Sequence, residues 1–140
     1  MAISFHELVP VLLKNRKGLK AFIFSLFSKE ERVLNEMNII FCSDDYLLEI
    51  NKQHLQHNFY TDIITFDLSE SKSGPITAEL YISIDRVKEN AFILSTKFTL
   101  ELHRVIFHGA LHLCGYGDKS KKNIAIMRAK EDEYLSLYFE

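Results

Sequence analysis

The stretch HGALHLCGYGD, His108 to Asp118, sets two histidines four residues apart, a glycine three beyond the second and an aspartate six beyond it. On a helix that spacing turns the second ring only about 40° from the first, so both imidazoles project from one side. Each ring buried among apolar neighbours needs partners for its nitrogens, and a divalent metal would satisfy both rings at once. Gly115 ends the helix where a left-handed turn is readily adopted, and the returning chain can aim Asp118 at the same ion. Two histidines and one carboxylate leave a tetrahedral position open, the pattern of a catalytic rather than a structural zinc. His108, His112 and Asp118 are therefore the expected metal ligands and Zn2+ the expected ion, with nickel or another divalent cation also compatible. In an H-E-x-x-H protease the residue after the first histidine is the glutamate that acts as general base. Here it is Gly109, so peptide hydrolysis by that route lacks its proton acceptor.

The remaining candidates are weaker. His103 lies about 140° off the metal-facing side and reads as a histidine satisfied within the core. Cys114 reads as a buried thiol. His54 and His57 precede a strand and are placed to touch a substrate, and His6 has no functional context.

These side chains must be held by elements that the hydrophobic pattern outlines. Leu19, Phe22, Ile23, Leu26 and Phe27 repeat at helical spacing. MNIIFCS reads as a buried strand, and Ser43 or Asp44 can cap the helix DDYLLEINKQHL that follows. In IITFDLS, Ile64, Phe66 and Leu68 share one face; in ITAELYISID, Ala78, Leu80, Ile82 and Ile84 oppose Glu79, Tyr81 and Ser83. That alternation predicts a sheet with helices on one face and an open polar face on the other. SESKSGP between them reads as a flexible loop. From Arg86 the chain reads as helical, with a break at STKF where Ser95 can cap a new helix from about Lys97 to Leu113. That helix is apolar nearly all round and so predicted to be central. A last helix, roughly Ser120 to Leu137, is expected to turn Ile124, Met127, Tyr134 and Tyr138 inward.

A chain of 140 residues, 47% hydrophobic and 26% charged, suits one globular domain over residues 1–140. No apolar run approaches the roughly 20 residues of a membrane span. The opening MAISFHELVPVLL carries His6 and Glu7 without a basic leader, so it does not read as a signal peptide. With only Cys42 and Cys114, the expectation is a cytoplasmic protein with reduced thiols and no membrane partner. A net charge of −2 gives no general attraction to nucleic acid. Lys119, Lys121 and Lys122 nevertheless begin directly after Asp118, and a phosphate backbone approaching that site would meet them.

HGALHLCGYGD closely resembles the H-G-x-L-H-L-x-G-Y-D-H signature of the YbeY family of bacterial metal-dependent endoribonucleases. YTDIITF resembles that family's P-T-D-V-L-S-F, AELYIS its G-D-I-x-I-S strand, and MRAKE the M-x-x-x-E of its last helix. The likeness covers most of the chain from about Asn51. It implies an α+β fold similar to the zincins, with a small mixed four-stranded sheet and about five helices. It further implies cleavage of single-stranded RNA, 16S ribosomal RNA 3′-end maturation and ribosome quality control, with RNA and the ribosome as partners. Two positions depart from the pattern. Asp118 replaces the third metal histidine, and Leu55, in INKQHL, replaces an arginine of L-N-x-x-Y-R. An arginine there would bind phosphate in a bidentate fashion and stabilise developing charge, which leucine cannot do. Lys52 or Lys119 would have to supply the missing cation.

The leading expectation is thus a zinc-dependent endoribonuclease, with Asp62 and Glu79, near or on the polar sheet face, as candidate general bases. Two other readings stay open. One is a non-catalytic ribosome-assembly factor stabilised by its metal, motivated by Leu55. The other is a zinc hydrolase of peptides or small molecules, motivated by the ligand spacing.

Overall fold

The computed structural model describes residues 2–140. Its elements in chain order are β1 (Ile3–Glu7), α1 (Arg16–Lys29), β2 (Leu34–Cys42), α2 (Asp44–Leu55), β3 (Ile63–Asp67), β4 (Ile76–Ser83), α3 (Ile84–Ile93), α4 (Phe98–Leu113) and α5 (Lys121–Phe139). The strands form one sheet in the order β1-β2-β4-β3. β1 and β4 run parallel to β2, and β3 runs antiparallel to β4. This is the mixed four-stranded sheet with five helices that the family resemblance implies.

Alternation along the strands decides which side is core. Met37, Ile39 and Phe41 of β2 pair with Ala78, Leu80 and Ile82 of β4, and all six are almost completely buried. Against this face lies α4, whose Leu102, Val105, Ile106, Phe107, Leu111 and Leu113 are buried as the apolar pattern predicts. A fully buried side chain of this kind contributes about 1.5–3 kcal/mol, against roughly 0–1 kcal/mol for a surface ion pair. The central helix therefore dominates the packing.

The opposite face is not the open polar surface expected. Ile64 and Phe66 pair with Tyr81 and Glu79, and Ile64 joins Cys42 and Leu47 of α2 in a second small core. Helix α2 roofs this face because its Leu47 side needs a partner and the strands turn apolar atoms toward it. Residues 63, 65 and 67 of β3 are the ones that share a face with Leu80.

Caps account for most helix boundaries. The Ser43 hydroxyl accepts from the Tyr46 amide at 3.1 Å and Ser83 from Arg86 at 3.1 Å, so α3 begins at Ile84, ahead of the expected start. Ser120 caps α5 by accepting from Asn123 at 3.1 Å. Ser95 does not cap α4. It adopts a left-handed conformation (φ 55°) that turns the chain after α3, and Lys97 occupies the cap position without a side-chain bond. On α5 the inward stripe is Met127, Glu131, Tyr134 and Leu135. Ile124, expected inside, is 49% exposed because the first turn of α5 projects beyond the stripe that packs on α4. Strand β1 has no counterpart in the sequence reading. Its five residues alternate too briefly to stand out, and only parallel pairing with β2 gives them a place.

Candidate metal and RNA site

Helix α4 carries His108 and His112, and the chain after it supplies Asp118. The helix is central, yet the face bearing the histidines is less buried than expected: His108 is half-buried and His112 exposed. Gly115 takes φ +108°, so the left-handed turn expected from glycine does redirect the chain. Asp118 Oδ2 then lies 3.3 Å from His108 Nε2. His108, His112 and Asp118 line one cleft of about 260 Å³, together with Leu55, Asp62 and Lys119.

Both imidazoles are oriented through Nδ1. His108 Nδ1 donates to Glu131 Oε2 at 2.7 Å, and His112 Nδ1 donates to the Tyr116 carbonyl at 3.1 Å. Each Nε2 is thereby left for a further partner, the tautomer that metal-ligating histidines require. Glu131 is buried, and its carboxylate also receives Arg104 at 3.1 Å and Arg128 at 3.3 Å. Burial opposes charge on His108, but Glu131, Asp62 and Asp118 outweigh it and raise the ring's pKa. Among the described residues, no group of three or more His, Cys, Asp or Glu is gathered tightly enough to hold an ion. The donor chemistry of His108, His112 and Asp118, with orientation partners on both rings, nonetheless fits a divalent metal.

Gly109, where a protease would carry its glutamate, has a packing reason. A Cβ there would stand 2.8 Å from Ile63 Cδ1 and 3.0 Å from Leu80 Cδ1. Helix α4 sits so close to β3 and β4 that any side chain there would have to displace the methyl ends of Ile63 and Leu80, and with glycine in place a peptidase lacks its base.

Asp62 and Glu79 part company. Asp62 lines the histidine cleft and an adjoining one of about 230 Å³ that also reaches His108, Asp118, Arg104 and Arg128. Burial raises its carboxyl above the usual range, although His108 opposes the shift. Glu79 faces the other side of the sheet. It pairs with Phe66, accepts from the Tyr81 hydroxyl at 3.4 Å and lines a separate cleft with Tyr46 and His54. The structure thus does not bring Glu79 to the histidines, because alternate residues of β4 face opposite ways.

Among the lysines, only Lys119 lines the histidine cleft. Lys121 and Lys122 stand exposed on the first turn of α5, outside the residues lining either cleft around His108. Lys52 is paired with Glu49 at 3.6 Å. Leu55 does line the cleft, 41% exposed. His57 lines it as well, whereas His54 lies across the sheet against Phe66. His103 is buried away from the cleft; its Nδ1 donates to the Thr99 carbonyl at 2.7 Å, but Nε2 has no partner, so it is only half satisfied. Cys42 and Cys114 are free thiols, and burial pushes both up to about 12. His6 meets Asn38 at 2.9 Å on the sheet.

Glu131, Arg104 and Arg128 were not candidates from the sequence. The signal for Glu131 was an acid inside the inward stripe, four residues after Met127 and three before Tyr134, where an apolar residue is the rule.

Fold and site together define an α+β protein with a helix-borne histidine pair and a carboxylate from the following turn. The family model described as Endoribonuclease YbeY matches residues 13–138. The chain is 49% identical over 133 residues to Endoribonuclease YbeY of Cytophaga hutchinsonii, covering 95% of this chain and 92% of that protein. It is 43% identical over 136 residues to the protein of the same name from Flavobacterium psychrophilum, covering 97% and 96%. The solution structure of TM1509 from Thermotoga maritima superposes with a TM-score of 0.65 at 30% identity, over 97% of this chain and 89% of that one. The chain belongs to the YbeY family.

Proposed function

We propose that this chain is a metal-dependent endoribonuclease of single-stranded RNA, a single domain over residues 1–140, working in the cytoplasm on ribosomal RNA at the ribosome. Family membership and relatives named for endoribonuclease activity support the reaction class. No helix among the described residues is long and apolar enough to cross a membrane. The observation that carries the metal assignment is the approach of Asp118 to His108 Nε2, 3.3 Å, at a cleft that His112 also lines.

In this reading His108, His112 and Asp118 hold the cation, and zinc is the ion the donor set favours. Bound there, zinc supplies an acidified water and positive charge against the phosphoryl oxygens. The chain's own groups do the rest. Glu131 fixes the ring of His108 and keeps its Nε2 turned toward the cleft. Asp62, with its carboxyl pKa raised by burial, accepts a proton from the attacking water more readily than an exposed aspartate would. Lys119 meets the phosphate as a point charge in place of the arginine that Leu55 cannot supply.

The test is metal analysis of the purified protein coupled with single-stranded RNA cleavage before and after chelation. His108→Ala should abolish metal content and cleavage together. Full metal occupancy in that variant would refute the ligand assignment. Leu55 in the cleft favours a second reading, a metal-stabilised assembly factor that binds RNA without cutting it. Protein that binds ribosomal RNA yet cleaves no single strand with any divalent metal would establish that reading instead.

A further inference from the structure

Residues 52–60 are exposed throughout, and within them His57 and Phe59 stack with ring centroids 5.0 Å apart and planes 21° from parallel. Phe59 leaves 56% of its surface to solvent. Both rings line the cleft that holds His108, His112 and Asp118. Phe59 thus presents an aromatic ring to solvent at the rim of this cleft.

The pair is also held in place. Asn51, at the buried side of α2, is 2% exposed. Its backbone carbonyl accepts from the His57 amide at 3.0 Å, and its side-chain Nδ2 donates to the Phe59 carbonyl at 2.8 Å. Gln56, in a left-handed conformation at φ 56°, turns the chain so that both bonds can form. One buried asparagine therefore anchors both ring-bearing residues to the end of α2. Such an anchor limits the ordering entropy that a loop would otherwise lose on binding.

We propose that Phe59, backed by His57, is a stacking platform for a nucleobase of the RNA strand, beside the phosphate held at the candidate metal site. This rests on the endoribonuclease reading above and adds the contact that positions a base. Aromatic stacking accepts any base, since each has a π-face, so the platform selects for unpaired strands rather than for a sequence. A base in a duplex has both faces covered and cannot use it. Lys119 on the same cleft is placed for the adjoining phosphate. The platform thereby supplies grip on single strands from stacking, at a site where Leu55 leaves the electrostatic grip short of a guanidinium.

The experiment measures anisotropy of a labelled single-stranded oligoadenylate on times too short for cleavage, and KM and kcat on the same strand. Phe59→Ala should weaken binding roughly ten- to hundredfold, with the loss in KM and kcat nearly unchanged. Phe59→Trp should restore binding. Phe92→Ala, removing an exposed aromatic that lines neither cleft around His108, should bind as the parent does. On strands with single abasic positions, one position should abolish the difference between parent and Phe59→Ala. Equal weakening on every abasic strand would place the contact on the backbone and overturn the platform. Parent protein that cleaves RNA, with Phe59→Ala matching it in affinity and KM, would overturn the platform alone. Parent protein that neither binds nor cleaves single-stranded RNA would overturn the endoribonuclease reading and the platform with it.

Discussion

His108 has a carboxylate at each ring nitrogen, Glu131 at 2.7 Å and Asp118 at 3.3 Å, and the two have different work. Asp118 is exposed at the cleft, where the proposed function has it face the ion; Glu131 is buried behind the ring and fixes its orientation. Glu131→Gln keeps the shape and a hydrogen-bond acceptor but removes the charge that polarises His108. Outer partners of this kind are worth roughly ten- to hundredfold in metal affinity. The variant should lose affinity by that factor in competition with a chelator while its thermal unfolding still shows a folded protein. Unchanged affinity would mean that Glu131 serves only to bind Arg104 and Arg128. At this scale the convergence of His108, His112 and Asp118 on one cleft was legible in the sequence, because spacing and residue type alone encode a shared direction. It could not separate Asp62 from Glu79, since which face of β4 looks toward α4 depends on register with β3. Nor could it reach Phe59, whose role depends on how Asn51 folds the loop back to the cleft.

Among the elements, α4 was the most legible, since an apolar surface on nearly every side admits only a central position. What the pattern could not give was its depth against the sheet. That depth is set at Gly109, where the backbone approaches Ile63 and Leu80 to within the reach of a single Cβ. Adding that carbon overpacks the contact at about 1–3 kcal/mol, while alanine returns roughly 1 kcal/mol of helix propensity. Gly109→Ala should therefore be destabilised by about 1 kcal/mol, seen as a few degrees in Tm. An alanine variant at least as stable as the parent would show that Ile63 and Leu80 yield freely. Helix α2 was equally legible as a helix but not as a roof. The second small core of Cys42, Leu47 and Ile64 exists only because β3 presents Ile64 on the side away from α4.

For the whole molecule, the long-range tie is Glu30, at the end of α1. Its carboxylate accepts from the Tyr116 hydroxyl at 2.8 Å, from the Tyr134 hydroxyl and from Lys130 Nζ at 3.4 Å. Burial works to raise the Glu30 pKa, but Tyr134, Tyr116 and Lys130 prevail and hold it below the ordinary glutamate value. A carboxyl depressed in the folded state contributes stability above its unfolded pKa and loses it as pH falls through the folded value. Glu30→Gln should thus be less stable than the parent at neutral pH by about 1–3 kcal/mol, and the gap should narrow below pH ~4.5. Denaturant melts at both pH values check this; a gap that is constant with pH would remove Glu30's charge from the account. No sequence pattern announces this tie, because its partners are 86, 100 and 104 residues away along the chain. Finally, α4 is at once the helix with the most buried residues and the carrier of both imidazoles, whereas Phe59, Asp62, Asp118 and Lys119 sit on the α2–β3 and α4–α5 connections. Changes to how the protein grips its substrate can therefore accumulate in those two connections without loosening the interior. Variants selected for altered strand preference should carry their substitutions there and leave the helix untouched.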